Sequence, residues 1–172
     1  MSARGIDHVG VTVPDLDAAT TFFAHVLGAE PLYDTLPRGQ GPRSGPALER
    51  RTGVPGGTRQ IAVRMLRLRD GPGLELFEFD GPRQGAAVVP SDLGWQHVAC
   101  YVDDLDAALQ AVESAGGTIL DEPAELPGPE SGPNNLFAYC RTPWGSTLEL
   151  LTYPDPQPYE DDTELRRWCP AP

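Results

Sequence analysis

A chain of 172 residues suits one compact domain, large enough to bury roughly 70% of its unfolded surface, and its 40% hydrophobic content matches an ordinary globular core. The net charge is −12 and all 13 basic residues are arginine, which argues against binding nucleic acid or an anionic membrane through the general field. No stretch approaches the ~20 apolar residues of a membrane helix, and residues 1–7 lack the apolar run of a signal peptide, so a cytoplasmic location is expected.

From the N-terminus, His8 to Val13 is a β-branched run ended by Pro14, which reads as a strand. Asp15 is placed to cap a helix over 16–27, whose apolar face is Leu16, Ala19, Phe23, Val26 and Leu27 and whose stop is Gly28. A short strand near 29–33 precedes a stretch rich in Gly, Pro and Arg from Leu36 to Gly57, expected as a long loop. Strands at 61–68 and 74–80 come next, joined by a turn at 69–73. Residues 81–96 read as a linker. Asp104 then caps a helix over 105–115, stopped by Gly116 and Gly117, before strands near 118–121, 136–141 and 147–153. An acidic, proline-rich tail covers 154–172.

These elements repeat. His8 to Ala19 lies on His97 to Ala108 at an offset of 89 residues, with eight of twelve positions identical. Leu74-Glu75-Leu76 lies on Leu148-Glu149-Leu150 at an offset of 74, so the first copy is 15 residues longer between its matched segments. The chain reads as a tandem duplication: a first strand–helix–three-strand module over 1–80, the linker 81–96, a second module over 97–153 and the tail, together one compact domain.

Side chains alternate across a strand. His8, Gly10 and Thr12 therefore share one face, and Val9, Val11 and Val13 the face a helix covers. Glu75, Phe77 and Phe79 share a face on the last strand of the first copy, and Glu149, Leu151 and Tyr153 do so in the second. Duplication thus yields two His/Glu pairs, His8 with Glu75 and His97 with Glu149, each opposite its helix. Two imidazoles and two carboxylates suit one divalent cation of nickel, cobalt, manganese, iron or zinc, with positions left for water or substrate. Any of the four alone reads as structural; their recurrence at the repeat positions favours ligands. Glu78 is the rival of Glu75 but falls on the opposite strand face. His25 reads as structural. Cys100 and Cys140 read as small core residues, and three cysteines without ligand spacing suggest no metal cluster.

The segments His8-Val9-Gly10-Val11-Thr12-Val13 and Thr142-Pro143-Trp144-Gly145-Ser146-Thr147-Leu148-Glu149-Leu150 resemble the glyoxalase/bleomycin-resistance/extradiol-dioxygenase group, also called the vicinal oxygen chelate superfamily. The resemblance spans about residues 5–153, outside the 34–60 loop and the tail. It implies an α+β fold of two βαβββ modules whose sheets form a cupped half-barrel around one metal, with helices on the outer face. It also implies a small carbonyl substrate, Glu149 and then Glu75 as the base, and Phe77, Phe79, Tyr101, Leu151 and Tyr153 lining the cup; a homodimer is expected. A fourth ligand from the first copy is similar to glyoxalase I and the methylmalonyl-CoA epimerases, which makes a lyase or isomerase/epimerase the leading reading. A three-ligand iron dioxygenase and a metal-free drug-binding protein are the alternatives. Gln96 departs from the epimerase pattern, which has a histidine there, and no glutathione-recognition pattern is present. Part of the 36–57 stretch is expected over the cup's mouth, or over a partner subunit's mouth in a dimer, and dispensable for stability, with Arg38, Arg43, Arg50, Arg51 and Arg59 of the 34–60 loop available to an anionic substrate.

Overall fold

The structure, a computed structural model, describes residues 3–171, so the terminal positions 1–2 and 172 of the expected segments lie outside the described residues. It contains two compact units, residues 1–86 and 87–172.

The first unit runs β1 (His8–Val13), α1 (Leu16–Leu27), β2 (Glu30–Leu36), β3 (Arg43–Ser44), α2 (Pro46–Thr52), β4 (Arg59–Arg67) and β5 (Gly73–Asp80), with a 3₁₀ turn at Arg38–Gln40. The α1 helix starts where Asp15 accepts hydrogen bonds from the Asp17 and Ala18 N–H groups at 3.0 and 2.8 Å. It stops where Gly28 turns left-handed at φ 63°, donating to Ala24 O. Its buried face is Leu16, Ala19, Phe22, Phe23 and Val26, and α1 meets β4 and β5, whose Leu66, Leu74 and Leu76 are buried; Phe22 replaces the expected Leu27. Each such Leu or Phe contributes roughly 1.5–3 kcal/mol by leaving water.

Strand order is β1-β5-β4-β2, with β3 added beside β4; β1 and β5 run parallel and the other pairs antiparallel. The second unit repeats this with β6 (His97–Tyr101), α3 (Leu105–Ser114), β7 (Thr118–Ile119), β8 (Ala124–Glu125), β9 (Leu136–Arg141) and β10 (Thr147–Thr152), ordered β6-β10-β9-β7 with β8 beside β9. Here too the first and last strands, β6 and β10, are the parallel pair.

The half-barrel expectation is corrected by this topology. Two tandem βαβββ-like sheets with helices are present, but no sheet is closed or strongly curled. Closure needs the outer strands of a sheet to find hydrogen-bond partners; among the described residues β1 and β2 end one strand path, and β6 and β7 end the other.

The stretch 36–57 also differs from expectation. It is ordered rather than a bare loop: β3 pairs with β4, α2 begins at Pro46, and Leu36 and Leu48 are buried. Excising it would remove the buried Leu36 and Leu48, which argues against unchanged stability. Arg43 donates to Thr35 O at 3.0 Å and Arg38 pairs with Glu78, so two of its arginines serve the fold, and Arg59 on β4 pairs with Asp80. Among the described residues no helix is long and apolar enough to cross a membrane.

Candidate functional site

Strand alternation places the candidate ligands where the sequence expects them. On β5, Leu74, Leu76 and Glu78 are buried, while Glu75, Phe77 and Phe79 on the other face remain partly open. Glu78 serves the fold: its carboxylate accepts the Leu16 N–H at 2.9 Å and a hydrogen bond from Arg38, adding to the start of α1. The choice of Glu75 over Glu78 as the ligand-type side chain thus has a physical basis.

Within the first unit, His8 Nε2 lies 3.2 Å from Glu75 Oε2; within the second, His97 Nε2 lies 3.1 Å from Glu149 Oε2. The likeness comes from register. Gly10 pairs with Glu75 and Ala99 with Glu149, so in both units the histidine sits two residues before the partner of the glutamate. Both glutamate side chains are largely enclosed, at 17% and 12% exposure. Two ligand atoms bound about 2.1 Å from a shared ion at near-right angles stand about 3 Å apart. Each pair therefore fits two adjacent positions of a divalent ion. Among the described residues, no three His, Cys, Asp or Glu side chains gather as a metal-holding group, and what each unit holds is a pair.

The electrostatic setting differs between the pairs. His8 Nδ1 is 2.7 Å from Asp7 Oδ2, and that hydrogen bond raises the imidazole above its usual range. An Nδ1–H held by a carboxylate leaves Nε2 as the lone-pair nitrogen of the neutral ring, the arrangement common behind metal-bound histidines. His97 Nδ1 is buried without a hydrogen-bond partner, and the ring meets Tyr139 edge-on at 5.4 Å. Burial pushes the Glu149 carboxyl upward, opposed by His97 and by Arg167.

Two glycines make room. A Cβ on Gly73 would stand 2.9 Å from Met65 Sδ and 3.1 Å from Leu66 O, beside His8; one on Gly10 would meet Phe77 at 3.2 Å. Phe77 and Phe79 stack at 5.8 Å, and Tyr101 meets Tyr153 edge-on at 4.8 Å. Leu151 is buried at 3% exposure. Cys100 and Cys140 are buried as well, and burial raises their thiols to about 12 and about 11, as inert core residues.

Sequence reasoning missed Asp7, Tyr139, Glu130 and Arg167. Asp7 adjoins His8, and Tyr139 is the register partner of Glu149, so alternation along 136–141 carried its signal. Glu130 and Arg167 come from irregular segments with no periodicity to read.

The family described as Glyoxalase/Bleomycin resistance protein/Dioxygenase superfamily matches residues 5–150. A 2-epi-5-epi-valiolone epimerase from Actinomyces sp. is 37% identical over 179 aligned positions, covering 99% of this chain and 94% of that protein. Among solved structures, a glyoxalase family protein from Bacillus cereus is 22% identical with a TM-score of 0.68, covering 88% of this chain and 95% of that one. The fosfomycin resistance protein FosX from Listeria monocytogenes, complexed with Mn(II) and sulfate, is 14% identical with a TM-score of 0.55, covering 88% of this chain and 93% of that one. By this match along most of its length, the chain belongs to the glyoxalase/bleomycin resistance protein/dioxygenase superfamily, the vicinal oxygen chelate group.

Proposed function

We propose that this protein is a divalent-metal-dependent epimerase of a small hydroxylated ketone, with His8, Glu75, His97 and Glu149 as the metal ligands. The observation that carries the metal reading is the repeated His/Glu pair, at 3.2 Å in one unit and 3.1 Å in the other. The likeness to a 2-epi-5-epi-valiolone epimerase supports epimerisation over the other chemistries of the family. That name denotes a ketone, and an epimerase inverts one carbon of its substrate.

Inversion beside a carbonyl needs one C–H proton removed and one returned to the opposite side of the carbon. The C–H bonding pair moves toward the carbonyl oxygen as an enolate forms, then back as the new C–H bond forms, with no oxidant consumed. A bound divalent ion would polarise the carbonyl and lower the cost of charge on its oxygen. Glu149 is the first candidate to take the proton and Glu75 the second; two carboxylates supply the donor and acceptor that inversion requires. Phe77 and Phe79 in one unit, and Tyr101 and Tyr153 in the other, would exclude water and hold the apolar parts of the substrate.

The test uses protein reconstituted separately with nickel, cobalt, manganese, iron and zinc, given 2-epi-5-epi-valiolone in heavy water. The expected result is one deuterium at the inverted carbon, with one ion bound for every two His/Glu pairs. His8→Ala and His97→Ala should each lose most of the metal. Failure to retain any of the five ions would remove the metal assignment. Metal-loaded protein that gives no exchange would remove the epimerase, and oxygen uptake with a catechol would replace it by a dioxygenase.

A further inference from the structure

Resting on the epimerase reading, we infer that the segment 153–168 forms a wall of the His97–Glu149 site, where Arg167 paired with Glu130 binds the hydroxyl groups of a neutral polyol and disfavours an anionic substrate. The segment lies beyond residues 5–150 of the family match, whereas the likeness to the Actinomyces epimerase covers 99% of the chain.

The segment is built in place. The Asp155 N–H donates to Asn135 Oδ1 at 2.9 Å, and the Asn134 N–H donates to the Asp155 carboxylate at 2.8 Å. Gln157 is buried and caps a 3₁₀ turn over Pro158–Asp161. The Arg167 N–H donates to the Tyr159 hydroxyl at 2.8 Å, and the Tyr153 hydroxyl donates to the Trp168 carbonyl. These bonds bring the Arg167 guanidinium to 4.7 Å over the Tyr153 ring, with Nη1 2.9 Å from Glu130 Oε1. Tyr153 in turn meets Tyr101, on the strand that starts with His97.

Chemistry chooses the ligand. Among the described residues the guanidinium gives one hydrogen bond, to Glu130, and it stays 32% exposed, so several of its five N–H donors are not used there. Glu130 is 40% exposed and brings acceptor oxygens. A hydroxyl group needs both a donor and an acceptor, and an Arg–Glu pair supplies both at no net charge. A phosphate or carboxylate needs uncompensated positive charge, whereas here Glu130 cancels Arg167 and the chain carries −12. The Tyr101 and Tyr153 rings offer apolar surface to the C–H face of a ring.

The experiment compares metal-loaded wild type, Arg167→Ala, Arg167→Lys and Glu130→Gln with 2-epi-5-epi-valiolone and with a phosphate ester of it. It records deuterium exchange, equilibrium dialysis of both compounds, metal content and melting temperature. Arg167→Ala should raise KM about tenfold or more, the loss of a charge-assisted hydrogen bond, with kcat and metal content little changed. Arg167→Lys should recover part of that loss. Glu130→Gln, which uncovers the arginine charge, should narrow the preference for the neutral compound. An unchanged KM in Arg167→Ala, or a wild type that prefers the phosphate ester, overturns the inference. Wild type that binds the neutral compound through Arg167 without exchanging its proton removes only the epimerase. Wild type that neither binds nor exchanges it removes both.

Discussion

Single residues decide which atoms are free for chemistry and which are spent on the fold. Glu75 and Glu78 are three apart on one strand, yet one faces His8 and the other holds the start of α1 and Arg38. Asp15 works at the same helix end, where backbone N–H groups, first that of Ala18, hold its carboxyl below the usual range. A lowered folded-state pKa means stabilisation present above the unfolded pKa and lost as pH falls through the folded value. Asp15→Ala should therefore cost about 1 kcal/mol at neutral pH, with the deficit shrinking toward strong acid. Urea melts of both proteins at several pH values measure this, and a deficit that does not change with pH would assign it to something other than the carboxylate.

At the scale of elements, irregular segments also carry defined hydrogen bonds. Asn135 is fully buried and holds three backbone groups: its amide donates to Glu130 O at 3.1 Å and Asp155 O at 3.3 Å, and its oxygen accepts from the Asp155 N–H. Asn135→Ala leaves those groups unpaired in the interior and should cost about 1–3 kcal/mol. Because the same groups anchor the C-terminal segment, amide hydrogen exchange across 153–168 should quicken in this variant while β6 keeps its protection. Unchanged exchange in 153–168 would show that the segment is held elsewhere. On the other unit, β2 shows why its length was hard to read: register shifts lie between Pro31 and Tyr33 and between Asp34 and Leu36, so alternation breaks and the strand runs on to Leu36.

For the whole molecule, a bound ion acts on stability by mass action. An ion that binds the folded chain at 100 times its dissociation constant adds about 2.7 kcal/mol. The melting temperature should therefore rise with the concentration of the effective divalent ion and return to baseline with a chelator. His8→Ala should flatten the response. A rise of the same size in His8→Ala would assign the effect to other carboxylates on this acidic chain.

Local features of the fold were legible along the chain. Both long helices begin at the aspartates expected to cap them, because a cap is a local hydrogen bond between a side chain and N–H groups two or three residues on. The His/Glu pairs were legible because period-two alternation and duplication both act through the sequence. Features set by contacts remote in sequence were not legible. The open sheets depend on which strand edges find partners, and the order of 36–57 depends on β3 reaching β4 and on the burial of Leu36 and Leu48. The placing of Arg167 beside Glu130, 37 residues away, belongs to the same class. The sequence by itself determined the duplication, the caps and the strand face of each candidate His and Glu, since those rest on short-range periodicity. Only the tertiary structure decided sheet closure, the order of the long insertion and the residues that surround Glu149, since those rest on pairings that no local pattern encodes.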